Sequence, residues 1–64
     1  MDLYVTLKYG TSAETIARFL DLGDVEITGP DHANGWTVCG RESQVIEFIE
    51  YVRLQGLDRT LIVL

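Results

Sequence analysis

Residues 3–23 read LYVTLKYGTSAETIARFLDLG, and the change of hydrophobic period within them decides the fold. Leu3, Val5, Leu7 and Tyr9 alternate with Tyr4, Thr6 and Lys8, the period of two that marks a half-buried strand. Gly10 breaks the alternation. Thr11 followed by Glu14 forms a T-x-x-E capping box, whose hydroxyl and carboxylate can satisfy orphan amides at a helix start. Ala13, Ile16, Ala17 and Leu20 then recur at helical spacing, and Gly23 is placed to end the helix in a left-handed conformation. A β-α unit therefore opens the chain.

Working outward, Val25 to Thr28 alternates again, with Val25 and Ile27 inward and Glu26 and Thr28 outward. Gly29-Pro30-Asp31 and Asn34-Gly35 are turn formers, so residues 29–35 read as a hairpin loop, with a returning strand from Trp36 to Arg41. Val45, Phe48, Ile49 and Val52 make a second amphipathic stripe, with Glu47 and Glu50 opposite. Gly56 caps this helix, with Leu57 as the hydrophobic contact that accompanies such caps. Thr60 to Leu64 is an apolar final strand.

The element order is β-α-β-β-α-β. A shift of 32 residues lays Ala13, Ile16, Ala17 and Leu20 on Val45, Phe48, Ile49 and Val52, and Thr11 on Ser43, a second candidate N-cap. Such an echo is expected of two split β-α-β halves. With right-handed crossovers, the expectation is a single α+β domain spanning residues 1–64, a ferredoxin-like sandwich. Its antiparallel four-stranded sheet has order 4-1-3-2 and carries both helices on one face. Two registers remain open for the third strand. Hydrophobicity turns Trp36 and Val38 toward the helices and leaves Thr37, Cys39 and Arg41 on the open face. The echo instead places Cys39 where Leu7 lies, which puts Trp36 outside with Tyr4.

Composition narrows function by exclusion. The chain has 64 residues, 47% of them hydrophobic, with one Pro, so it is a single domain with a core small enough that every buried side chain matters. The N-terminus has no basic region ahead of an apolar stretch, and the apolar run at Thr60–Leu64 is too short for a bilayer, so neither a signal peptide nor a membrane span is expected. A lone Cys39 fits a reducing, cytoplasmic setting. Ten acidic against five basic side chains give a net charge of −5, which disfavours direct nucleic-acid binding and favours a basic protein partner.

Domains of this size and fold include metal carriers, RNA-recognition modules and amino-acid sensors. The loop after the first strand, Lys8-Tyr9-Gly10-Thr11-Ser12, has no thiol, against soft-metal transport. Only Lys8 and Arg41 would add positive charge to the sheet beside Tyr4, against RNA stacking. His32 and Cys39 supply at most two metal ligands and lie across a loop from one another, against zinc and against Cys-His catalysis. No cofactor and no enzymatic activity are expected. A ligand-sensing regulatory module of the amino-acid-binding type stays as the alternative, since Gly10 stands where such modules bind.

The charge distribution is what survives. From Phe19 through Gly40 the chain carries Asp21, Asp24, Glu26 and Asp31 and no Lys or Arg, and the proposed topology gathers these residues at one margin. Asp21 falls in the last turn of its helix, where the dipole disfavours an anion; edge-strand charge also guards against aggregation. A second surface, with Ile62 and Leu64 beside Tyr4 and Leu54 near Tyr51, is apolar, so monomer and homodimer both stay open. In size, acidity and expected fold the chain resembles small phage-encoded inhibitors, anti-CRISPR proteins among them. That resemblance implies a DNA-mimicking surface acting in the host cytoplasm. Asp21, Asp24, Glu26 and Asp31 would stand in for phosphates, with Glu47 and Glu50 as a second row.

Overall fold

The alternation that starts at Leu3 is strand β1, Asp2–Leu7, in the computed structural model of the chain, which describes residues 1–64. It is followed by α1 (Ala13–Phe19), β2 (Val25–Thr28), β3 (Gly35–Gly40), α2 (Glu42–Leu54) and β4 (Asp58–Val63). The strands form one antiparallel sheet of order β2-β3-β1-β4. Read from the other edge this is 4-1-3-2, consistent with a ferredoxin-like arrangement.

Both helices pack on one face. Leu3, Val5 and Leu7 of β1 and Trp36 and Val38 of β3 are buried in the same cluster as Ala13, Ile16, Val45, Phe48 and Val52. Trp36 is 4% exposed and lies opposite Val5, so hydrophobicity and not the 32-residue echo sets the register of β3. The echo fails there because burying the largest side chain outweighs a pattern resemblance. Its indole N–H donates to Asn34 Oδ1 at 3.2 Å, which satisfies the one polar atom that burial would otherwise orphan.

Several local expectations are corrected. The N-cap of α1 is Ser12, whose Oγ accepts from the Thr15 amide at 3.3 Å. The Thr11 hydroxyl is not free to cap, because it donates to the Lys8 carbonyl at 2.7 Å across the preceding turn. Tyr9 leaves the strand pattern altogether, with φ of 59° and 83% exposure. The helix ends before Gly23. Asp21 takes the left-handed position with φ of 57°, Leu22 N–H donates to Ala17 O and Asp21 N–H to Arg18 O, a Schellman cap. Asp21 is thus beyond the last helical turn, in a conformation that Asp tolerates better than most residues. Helix α2 ends as expected, on Gly56 (φ 66°) with Leu57 N–H donating to Val52 O. Its start is Arg41, with no side-chain cap, and Ser43 lies inside the helix. Arg41 consequently leaves β3 and the open sheet face.

Candidate functional site

The open face is built from the outward residues of the four strands. Cross-strand pairing sets Glu26, Cys39 and Asp2 in one row and Thr28, Thr37, Tyr4 and Ile62 in the next. Glu26 and Asp2 are therefore two strand spacings apart, about 10 Å, with Cys39 between them. Partial desolvation, then the Asp2 carboxylate and the Glu26 charge, push the Cys39 thiol above its ordinary pKa, against a smaller opposing pull from the N-terminal ammonium. A raised thiol pKa is the reverse of what a nucleophile needs. His32 lies in the loop at the far end of β3.

Antiparallel connections bring further carboxylates to the Glu26–Asp2 end. The C-terminus of α1 delivers Asp21, the connection into β2 delivers Asp24, and the first turn of α2 delivers Glu42. Asp2, Asp21, Asp24, Glu26 and Glu42 are all exposed. The basic side chains at this end are Arg18, in the last turn of α1, and Arg41. Arg41 Nη2 pairs with Asp24 Oδ2 at 2.9 Å, both side chains about half exposed or more, so the pair is worth little energetically but takes up one carboxylate. The backbone is pinned as well: Asp24 N–H donates to Gln44 Oε1 at 2.8 Å and Arg41 N–H to Asp24 O at 3.1 Å.

Asp31 is separated from this group by the length of β2, at the other end of the sheet. Its Oδ2 accepts from the Tyr4 hydroxyl at 2.6 Å, and its Oδ1 from the amides of Gly35 at 2.7 Å and Ala33 at 2.9 Å. Asp31 is the anchor of the β2–β3 turn. Those three donors, the Tyr4 hydroxyl first, hold its carboxyl below the usual pKa, while the same contact and partial desolvation hold the Tyr4 phenol above its own. A carboxyl with a lowered folded pKa stabilises above its unfolded pKa and loses that contribution as pH falls through the folded value; a phenol with a raised pKa stabilises below its unfolded value and loses it as pH rises through the folded one. The stability difference between the wild type and Tyr4→Phe, measured by denaturant unfolding, should therefore be present at neutral pH and vanish at both the acid and the alkaline extremes. A pH-independent difference would show that the Tyr4–Asp31 contact is not formed in solution.

Glu47 and Glu50 are exposed on α2, in the helical layer and away from the open face. Of the six carboxylates picked from the sequence, the fold thus groups Asp21, Asp24 and Glu26. It adds Asp2 and Glu42, which local reading passed over. Asp2 lies one residue ahead of the alternation that starts at Leu3, and only the extension of β1 to Asp2 and its pairing with β3 bring it to the open face near Glu26.

The opposite end carries Lys8, Tyr9, His32, Arg53 and Arg59, with Glu14, Asp31 and Asp58. Asn34 organises it: its Nδ2 donates to the carbonyls of Leu7 at 3.1 Å and Thr11 at 3.0 Å. An open cleft of ≈ 570 Å³ lies there, lined by residues that include Thr6, Tyr9, His32, Asn34 and Arg59. No group of three or more His, Cys, Asp or Glu side chains is arranged to hold a metal ion, and no helix is long and apolar enough to cross a membrane. No family model, no curated protein and no solved structure matches the chain.

Proposed function

We propose that the chain is a non-enzymatic interaction module, acting inside the cell, that binds a basic protein surface through the acidic end of its sheet. The observation that carries this reading is the charge asymmetry between the two ends: five exposed carboxylates face two guanidinium groups at one end, one of them already paired, while the other end is balanced. Carboxylates set on strand and helix ends are held at fixed spacing, the condition for steering and registering a Lys/Arg surface. The form of this function that the distribution suits best is inhibition of a nucleic-acid-binding complex, as in the phage-encoded inhibitors, with Asp2, Asp24, Glu26 and Glu42 in the positions of phosphates. Asp31 supports the fold in this reading, and Glu47 and Glu50 contribute general charge.

The test separates a located site from unspecific acidity. An Arg-rich peptide should bind the wild type with an affinity that falls steeply as salt rises. Glu26→Lys/Glu42→Lys should lower that affinity roughly tenfold or more, the scale of losing charge-assisted contacts. Glu47→Lys/Glu50→Lys, matched in net charge, should change it far less. Equal losses in the two double variants would show that net charge alone drives binding.

The ligand-sensing alternative draws on the cleft at the other end, where Arg59, His32 and the exposed ring of Tyr9 surround the loop after β1. A small carboxylate ligand binding there would raise the melting temperature, and Arg59→Ala would remove the effect.

A further inference from the structure

The two edges of the sheet are treated differently. Strand β2 is four residues long, carries Glu26, and is bounded by Asp24 and by Pro30, devices that keep an edge from pairing with another chain. Strand β4 has none of them over its last part. Thr60-Leu61-Ile62-Val63-Leu64 carries no charged side chain, and Ile62, Val63 and Leu64 are 48%, 52% and 70% exposed. Its hydrogen-bonding edge is also open. Leu64 N–H donates to Asp2 O at 2.8 Å and Thr60 N–H to Thr6 Oγ1 at 2.9 Å, so the even-numbered residues bond toward β1. By antiparallel alternation the N–H and C=O of Leu61 and Val63 point away from the sheet, unpaired. The register shift opposite Thr6/Leu7 ends the regular edge on the Arg59 side.

We infer that β4 pairs with β4 of a second copy of this chain, antiparallel about a two-fold axis at Ile62, giving an eight-stranded sheet. The register follows from which groups face outward: Leu61 of each copy exchanges hydrogen bonds with Val63 of the other, and Ile62 meets its own equivalent in a non-hydrogen-bonded pair, on the open face beside Tyr4. Charge selects a second copy as the occupant. Two chains of net charge −5 repel, yet this axis places the two β2 strands at opposite margins, about 33 Å apart by strand spacing, several Debye lengths. The antiparallel arrangement also turns the Arg59 end of each copy toward the end of the other that carries Asp2 and Glu42. Pairing through β2 by the same rule would instead set Glu26 of one copy directly against Glu26 of the other, like charges that destabilise a cross-strand pair. Asp24 and Glu26, at the margin far from β4, remain accessible in the dimer, so dimerisation through β4 stands whether or not a basic partner binds there.

Sedimentation equilibrium over a range of protein concentrations tests it. The wild type should show a monomer–dimer equilibrium, and Ile62→Lys, which sets two ammonium groups against each other across the axis, should weaken it roughly tenfold to a hundredfold, the scale of removing a buried aliphatic pair. Thr28→Lys, the same change of charge on the exposed open face of the other edge strand, should leave it unchanged. Independently, Cys39→Ser/Ile62→Cys should form an intermolecular disulfide under mild oxidation, because Cα atoms of a non-hydrogen-bonded pair lie about 4.5 Å apart, within disulfide reach. That measurement decides the matter should the lysine variant fail to fold. A wild type that stays monomeric at every concentration would overturn the inference. So would a dimer that Ile62→Lys leaves intact, or an Ile62→Cys variant that crosslinks no faster than Leu54→Cys in the same Cys39→Ser background.

Discussion

A Phe48→Ala variant is expected to lose about 3–5 kcal/mol of stability, the range for deleting a fully buried aromatic ring. A domain of 64 residues has roughly 3–10 kcal/mol in total at typical per-residue values, so this one change should remove roughly a third or more of the stability. Phe48 is 0% exposed and is among the largest fully buried side chains, where both helices meet the sheet. So small a core offers no second layer to close over the cavity. The chain's other phenylalanine is the internal control. Phe19 is 71% exposed and touches the ring of Tyr51 at a centroid distance of 5.6 Å, tilted by 49°. Phe19→Ala should cost only about 0.5–1.5 kcal/mol, the worth of such an aromatic pair. Denaturant midpoints of the two variants at unchanged m-value check the contrast. Comparable losses would mean that the packing around Phe48 is wrongly placed.

The second large effect is expected at Gly40. A Cβ there would collide with the Asp24 carbonyl oxygen and come within 2.9 Å of the Val25 Cα. Both are backbone atoms that cannot step aside as a flexible side chain would. Gly40→Val should push β2 off the end of β3, at a cost of about 1–3 kcal/mol from overpacking, and break the Arg41 N–H to Asp24 O hydrogen bond that fixes the acidic end. Amide exchange should accelerate selectively at Arg41 and in β2. Gly23→Ala serves as the comparison: a Cβ there meets nothing within 4 Å, so stability should hold or rise slightly. If Gly40→Val is as stable as Gly23→Ala, the close approach of β2 and β3 is not as described. If it folds but loses affinity for the Arg-rich peptide, the placement of Asp24 contributes to binding beyond its charge.

The two helix ends show how far local reading reaches. Gly56 and Leu57 were legible as a cap because glycine is the usual residue at a left-handed position and the hydrophobic contact follows it directly. At the first helix the same motif is built from Asp21 and Leu22, and the nearby Gly23 diverted the reading by two residues. The capping box at Thr11 and Glu14 was a sound local pattern, overridden because the Lys8 carbonyl already holds the Thr11 hydroxyl. In the candidate site, Asp31 was grouped with Asp24 and Glu26 by proximity in sequence. The β2–β3 turn carries it to the far end of the sheet, onto Tyr4.

The opening stretch, residues 3–23, was enough to determine a β-α unit. Periods of two and of 3.6 continued through the chain then determined the element order and most of the buried faces. These are consequences of side-chain direction along a single element, which any local window contains. The inward turn of Trp36 was settled only by its burial in the folded core. Which carboxylates become neighbours, which are paired with Arg41 or hydrogen-bonded by Tyr4, and which strand edge is left open were decided only by tertiary structure. They depend on contacts between residues 17 to 54 positions apart, from Asp24 with Arg41 to Thr60 with Thr6. Bringing those segments together is the work of core burial, and the surface charges are carried to their positions by it.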